Sequence, residues 1–170
     1  IGSEFIRQFS DEHTFTVVSR NIAKAKELLG NGVEYVESVA AVQNFDKFDA
    51  VINLAGEPIA DKRWTDTQKK KICDSRWNIT AELVSKINDS NSPPDVFISG
   101  SAIGFYGSQE DRVVSEDTPP HNEFTHELCA KWEAIANSVV QENTRVVTLR
   151  TGVVLTDKGG ALDKMALPFK

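Results

Sequence analysis

Apolar positions along the chain alternate between two spacings, one typical of strands and one typical of helices. Short apolar or β-branched runs predict five strands, at residues 14–19, 33–37, 49–56, 95–99 and 145–155. Elsewhere apolar residues recur every three or four positions, as on one face of an amphipathic helix. This spacing predicts helices over residues 3–10, 21–30, 66–87 and 123–141.

The order of these elements predicts the fold class. Strands that alternate with helices imply an α/β fold with a doubly wound parallel sheet of the Rossmann type. Ligands of such sheets bind beyond the carboxyl ends of the strands. Four segments that contain polar residues, three of them also glycine, all lie at predicted strand ends: 19–21, 53–57, 99–107 and 150–155. We therefore expect the functional residues in these segments.

Length, charge and cysteine content narrow the function classes. The 170 residues fit one domain with a substantial core. The formal net charge of −6 argues against a nucleic-acid partner, because phosphate contacts require a basic face. Cys73 and Cys129 form no metal-ligand spacing with the three histidines, so we expect no metal site and a reducing, cytoplasmic compartment. No apolar run approaches the roughly 18 residues of a membrane span, so we expect no membrane partner.

Ser19 and Arg20 close the predicted strand that stands second in a dinucleotide-binding domain. That strand end contacts the adenosine ribose, and an acidic residue there would bind the 2′-hydroxyl of NAD and repel a 2′-phosphate. A guanidinium can instead hold a phosphate through two N–H groups, so the pair favours NADP(H). The alternative interpretation is an ordinary surface arginine after a strand.

Two further segments have the composition of dinucleotide-binding turns. Ile1–Gly2, before a predicted helix, looks like the end of a G-x-x-G-x-x-G turn. After the strand at 49–52, Asn53 offers an amide to a ribose, and the small residues Ala55 and Gly56 let a nucleotide lie against the main chain. A tight turn that merely prefers Ala-Gly is the alternative for this second segment.

Arg76 lies within the long predicted helix 66–87. From the sheet-facing side of that helix, its guanidinium can reach cofactor phosphates. The alternative is an ion pair with Asp74 or Glu82, and the spacing of the residues does not decide between the two.

Five segments together resemble the YfcH-type epimerase-family proteins, which are atypical short-chain dehydrogenases/reductases. They are DAVINLAGEPIADKRWT, SRWNIT, ISGSAIGFYG, ELCAKWEAIA and LRTGVVLTDKGGALDKMALPF. The resemblance implies that residues 1–170 form an NADP(H)-binding Rossmann-type domain. It also leads us to expect that this domain is truncated at both ends, lacking its first strand, most of the glycine-rich loop and a C-terminal substrate region.

The resemblance also implies a set of cofactor contacts. They are Ser19 and Arg20 at the 2′-phosphate, Asn53 and Leu54 beside the ribose, Arg76 from the helix, and Val154 near the nicotinamide.

Extended reductases and epimerases of this superfamily use a serine or threonine after a strand and a Tyr-x-x-x-Lys pair on the next helix. Ser101 has the serine's place and is the candidate catalytic residue, while the tyrosine and lysine places hold Thr125 and Cys129. Threonine is a far weaker acid than a phenol, and a neutral thiol supplies no cation. Tyr106, in the turn similar to V-Y-G, is expected to pack rather than to catalyse.

Two functions remain open from the sequence. The first is an NADP(H)-dependent oxidoreductase or nucleotide-sugar epimerase that lacks the usual Tyr-x-x-x-Lys pair and acts on a sugar-nucleotide-like small molecule. The second is a non-catalytic, NADP(H)-binding regulatory or sensing protein.

Overall fold

Helices and parallel strands alternate along the computed structural model, which describes residues 1–156, 161–166 and 168. The strands are β1 (Thr16–Val18), β2 (Glu34–Val36), β3 (Ala50–Asn53), β4 (Val96–Ala102) and β5 (Arg145–Thr151). The helices are α1 (Gly2–Phe9), α2 (Ile22–Leu29), α3 (Asp66–Asn88), α4 (Phe124–Ala136) and α5 (Ala161–Ala166), with short 3-10 turns at Val39–Ala41 and Ile103–Phe105. In this described part of the chain, no helix is both long and apolar enough to cross a membrane.

All strand pairs run parallel, in two groups. β1 pairs with β2, and β4 lies between β3 and β5. Among the described residues, no strand pairing links β1 to β3. The α/β class and the parallel strands predicted from the sequence are confirmed.

The main core lies between α3, α4 and the three-stranded group. Its buried members are Val39, Val42, Phe45, Leu83, Val84, Ile87, Phe97 and Ala136. The apolar face predicted for the long helix supplies three of these residues, and Ile79 packs against them. α3 begins at its N-cap Thr65, whose side chain accepts a hydrogen bond from the main-chain N–H of Gln68.

Helix α4 and strand β3 end earlier than the apolar pattern predicts, because polar side chains at their ends form hydrogen bonds with the main chain. The side chain of Asn137 donates to the carbonyl of Glu133 at 2.8 Å, and the hydroxyl of Ser138 donates to that of Ile135 at 2.7 Å. These bonds use carbonyls at the end of α4, so the helix stops at Ala136 rather than near residue 141. Similarly, Asn53 Oδ1 accepts the N–H of Ala55 at 3.2 Å, which turns the chain where β3 ends.

Gly100 brings α4 close to the carboxyl end of β4. A Cβ at Gly100 would lie 3.2 Å from the Trp132 ring and 3.2 Å from the carbonyl oxygen of Asn53. The indole N–H of Trp132 donates to Thr80 on α3 at 2.8 Å. The glycine thus lets the ring join α3, α4 and the sheet directly beneath the strand ends.

Candidate functional site

The turn between β1 and α2 leaves one cation without a protein partner. Asn21 caps α2, because its Oδ1 accepts the N–H of Lys24 at 3.0 Å, and Ser19 Oγ accepts the N–H of Asn21 at 3.2 Å. Arg20, between them, is exposed. Within residues 1–156 and the short described segments beyond, its guanidinium makes no hydrogen bond or ion pair. It is therefore available to an anion at the carboxyl end of β1.

The end of β3 presents small and apolar residues, whereas the Asn53 side chain points inward. Asn53 is 3% exposed, and its Nδ2 donates to the hydroxyl of Thr80 at 2.9 Å. Leu54 and Gly56 are exposed and Ala55 is half-buried. The Asn53 amide thus stabilises the strand end, and the surface offered to a ligand comes from the three residues that follow.

Arg76 lies directly beneath this turn. Its Nη2 donates to the carbonyl of Glu57 at 3.1 Å and its Nη1 to that of Ile72 at 3.0 Å. A Cβ at Gly56 would lie 2.8 Å from Arg76 Cζ, so the glycine makes room for the guanidinium. Burial lowers the pKa of Arg76. Among the described residues these carbonyls, rather than Asp74 or Glu82, accept hydrogen bonds from the guanidinium, and its remaining N–H groups can bind a ligand.

Gly2 also reaches this region. A Cβ at Gly2 would lie 3.7 Å from Leu54 Cδ1, so α1 begins beside the end of β3. Val154 follows β5 and is 47% exposed.

Ser101 is tied to a buried ion pair. It is 5% exposed, and its hydroxyl donates to Glu133 Oε1 at 2.6 Å. The same carboxylate accepts Arg150 Nε and Nη2, each at 2.9 Å. The Ser101 proton is thus directed at Glu133, so donation to a substrate carbonyl requires this hydrogen bond to break.

Arg150 extends the network to the loop after β4. Its Nη1 donates to the Tyr106 hydroxyl at 2.9 Å and to the carbonyl of Glu116 at 3.2 Å. The guanidinium carbon lies 3.5 Å from the centre of the Phe105 ring. Hydrogen bonding to Glu133 raises the pKa of Arg150 further above its already high value. Tyr106 is 6% exposed, in agreement with the expected packing role.

Neither Glu133 nor Arg150 was singled out from the sequence, although both carry a recognisable signal. Glu133 lies four residues beyond Cys129 on the same helix face, within the apolar segment WEAIA. Arg150 interrupts an apolar strand, VVTLRTGVV. A charged residue at a core-facing position is seldom buried unless it is paired. Two such residues of opposite sign therefore predict an ion pair between them.

Thr125 and Cys129 both face the turn that follows β4. A Cβ at Gly104 would lie 3.2 Å from Thr125 Cβ and 3.8 Å from Cys129 Sγ. Burial raises the pKa of Cys129, while hydrogen bonds with Ala102 and Ser101 act in the opposite sense. The thiol is therefore uncharged at neutral pH. The described residues contain no cluster of histidine, cysteine and carboxylate side chains suited to a metal ion.

The family of the chain is shown by its similarity to known proteins. Residues 1–159 match the NAD dependent epimerase/dehydratase family. The chain belongs to this family. The resemblance to atypical short-chain dehydrogenases/reductases of the epimerase type is thereby confirmed.

Curated relatives and solved structures of this family cover nearly the whole chain. An Arabidopsis thaliana protein, "Epimerase family protein SDR39U1 homolog, chloroplastic", is 34% identical over 99% of the chain and 50% of its own length. A Mycobacterium bovis protein, "Epimerase family protein Mb2239", is 35% identical over 92% of the chain and 50% of its own length. The chain thus spans about half the length of the curated relatives it matches.

The crystal structure of human epimerase family protein SDR39U1 (isoform 2) with NADPH aligns with a TM-score of 0.81 at 31% identity. It covers 99% of the chain, which corresponds to 55% of the human protein in that structure. The similarity confirms the Rossmann-like arrangement. UDP-glucuronic acid 4-epimerase from Bacillus cereus, in complex with NAD, shares the fold at a TM-score of 0.75 and 17% identity.

Proposed function

We propose that the chain binds NADP(H) and that Ser19 and Arg20 hold the adenosine 2′-phosphate. The observation that carries this proposal is the exposed Arg20 guanidinium at the carboxyl end of β1, which has no partner in the part of the chain that the structure describes. A 2′-phosphate carries negative charge and matches the fork of N–H groups on an arginine. No acidic side chain occupies the first turn of α2, where a carboxylate would repel that phosphate. The NADPH in the human SDR39U1 structure supports the same cofactor.

We further propose that residues 1–170 act as one Rossmann-type dinucleotide-binding domain, in which the remaining contacts follow the strand ends. Leu54, Ala55 and Gly56 form the surface on which the adenosine would lie. Asn53 acts from beneath by fixing the end of β3, since its side chain is buried.

Three further residues complete the proposed path of the cofactor. Gly2 lies where α1 begins, and the main-chain N–H groups of that helix start would bind the pyrophosphate. Arg76 retains free N–H groups on the same side of the sheet. Val154 is the proposed contact of the nicotinamide end.

For the whole protein we propose an oxidoreductase or nucleotide-sugar epimerase without the usual Tyr-x-x-x-Lys pair. Membership of an epimerase/dehydratase family supports the reaction class, and sugar-nucleotide enzymes among the similar folds support the substrate class. Thr125 and Cys129 line the turn after β4, where the pair would stand. Cys73 and Cys129 are unpaired and buried, which supports our proposal of a reducing, cytoplasmic compartment.

A non-catalytic, NADP(H)-sensing role is the second candidate, and the Ser101 contact favours it. The serine hydroxyl donates to Glu133 rather than facing a ligand as a free donor. Sensing requires the cofactor site without the acid and base groups.

Two measurements test these proposals in turn. Titration with NADPH and NADH, followed by nucleotide fluorescence, should give at least about tenfold tighter binding of NADPH. Equal affinities contradict the 2′-phosphate site. NADPH absorbance is then followed with a panel of carbonyl compounds, which can accept the hydride. UDP-glucuronic acid and UDP-glucose are incubated with the chain and NADP⁺ or NADPH, and any epimerised or oxidised sugar is measured by chromatography, because an epimerase regenerates its cofactor and leaves the absorbance unchanged. NADPH oxidation or a changed sugar supports the enzyme, whereas NADPH binding without either supports the sensing role.

A further inference from the structure

One buried amide in α3 is left without a partner. Gln68 is 7% exposed, and its Nε2 has no hydrogen-bond partner among the described residues. Unpaired buried donors are rare in folded proteins, because a lost interaction with water is not replaced. This amide is the single buried side-chain nitrogen or oxygen of the described residues found in that state.

The helix repeat places Gln68 on the side of α3 that supports the strand ends. Positions 68, 72, 76 and 80 are spaced by four residues and share one face of the helix. On that face, Arg76 contacts the turn after β3, and Thr80 bonds to Asn53 and Trp132. Ile72 is fully buried. Gln68 continues the same face toward the start of α3, beyond the carboxyl ends of the strands.

The segment that leads into α3 contacts the start of α4. The rings of Trp64 and Phe124 contact each other with centroids 5.5 Å apart, and Lys69 Nζ lies 5.0 Å from the centre of the Phe124 ring. Thr125, which follows Phe124, faces the turn after β4. Gln68 thus lies in the first turn of a helix whose start contacts the start of α4, the helix that carries Thr125 and Cys129.

We propose that Gln68 Nε2 is a ligand-binding donor at the reacting end of the cofactor. Its partner is an oxygen acceptor, either the carboxamide oxygen of the nicotinamide or a carbonyl, carboxylate or hydroxyl oxygen of the substrate beside it. This inference rests on the proposed NADP(H) site and adds a residue at the opposite end of the dinucleotide. The donor lacks a partner among the described residues because the ligand is that partner.

The test replaces the amide by an apolar group of similar length, in Gln68→Met. Removal of an unsatisfied buried donor should raise the midpoint of thermal unfolding by about 2–4 °C. The same change should weaken ligand binding about 5- to 20-fold, since one hydrogen bond is lost. Gln43→Met is the control, because Gln43 is exposed and lies near the opposite end of α3. It should change neither quantity, and Gln68→Leu provides a second apolar variant if Met packs poorly.

Three probes separate the possible acceptors. NADPH tests the carboxamide, UDP-glucuronic acid in the presence of NADPH tests the substrate, and 2′,5′-ADP lacks the reacting end altogether. Gln68→Met should weaken one of the first two and leave 2′,5′-ADP unchanged. If the variant is more stable and binds all three probes as the wild type does, the inference is overturned. Failure of the wild-type chain to bind NADPH or 2′,5′-ADP would instead contradict the proposed function itself.

Discussion

The carboxylate of Glu133 accepts two hydrogen bonds from the Arg150 guanidinium, from Nε and from Nη2, each at 2.9 Å. The pair links α4 to β5, and the Ser101 hydroxyl adds β4 to it. Glu133 is 8% exposed, so its charge relies on these donors rather than on water. The Glu133 carboxylate thus links β4, α4 and β5.

Replacement of Glu133 should therefore be costly. Glu133→Ala leaves the Arg150 cation without its carboxylate in a largely buried position, and we expect a loss of about 3 kcal/mol in the free energy of unfolding. Urea denaturation measures it. The matched control is Asp74→Ala, which breaks the exposed Lys70–Asp74 pair and should cost less than about 0.5 kcal/mol.

A double variant checks the cause of that loss. Glu133→Leu combined with Arg150→Met removes both charges, so no uncompensated ion remains buried. It should recover part of the stability lost by Glu133→Leu alone, as found when buried ion pairs are replaced by apolar residues. Additive losses in the two single variants would show that the charges do not depend on each other.

Ser101→Ala separates a structural from a catalytic serine. The variant loses a hydrogen bond to a charged acceptor, so we expect a stability decrease of about 1.5–3 kcal/mol in urea denaturation. NADPH affinity should stay within about twofold of the wild type, because this hydroxyl donates into the protein interior. A stability unchanged by the substitution, together with lost turnover of a substrate, would instead identify a catalytic role.

The alternation of strand and helix spacings was sufficient to predict the fold class, because the fold class depends on the order of the elements and each element has its own repeat of apolar residues. The apolar face of α3, for example, follows from the spacing of its apolar residues along the chain. Arg20 was likewise accessible to sequence reasoning, since its significance depends on its place after a strand. Such local features need no knowledge of distant contacts.

The side-chain network of the site could not be predicted in the same way. Ser101, Glu133 and Arg150 are separated by 32 and 17 positions, and only the fold brings them within hydrogen-bond distance. The inward orientation of the Asn53 amide depends on Thr80, which lies on α3. Spacing along the chain indicates which residues share an element, but it does not indicate which polar groups pair between elements.

Arg20→Ala tests the proposed cofactor specificity. Loss of a charged contact to the 2′-phosphate should weaken NADPH by about 1–3 kcal/mol and leave NADH nearly unchanged. Calorimetric titration with both nucleotides measures the difference. Arg145→Ala removes the same charge at the first residue of β5, at the opposite end of the sheet, and should affect neither nucleotide. Equal losses of NADPH and NADH binding in Arg20→Ala would contradict the proposal that Arg20 binds the 2′-phosphate.

Gly56→Ala tests the support that Arg76 gives to the turn after β3. The new methyl group would lie 2.8 Å from Arg76 Cζ and 2.9 Å from Nη2, so the guanidinium has to move. Because its bond to the carbonyl of Glu57 is then lost, we expect a decrease of about 1 kcal/mol in the free energy of unfolding. NADPH should bind more weakly as well, since the same turn is the proposed adenosine surface.

Gly32→Ala is the matched control for this substitution. A Cβ at Gly32 would meet no atom within 4 Å, and the backbone there is not left-handed. Its stability should therefore stay within about 0.5 kcal/mol of the wild type or rise slightly, because alanine restricts the unfolded chain. If Gly56→Ala behaves like Gly32→Ala in both urea denaturation and NADPH titration, then the contact between Arg76 and the turn contributes nothing to the site. If only NADPH binding falls, the methyl group acts by occupying the nucleotide surface, and the Arg76 bond to Glu57 is dispensable for stability.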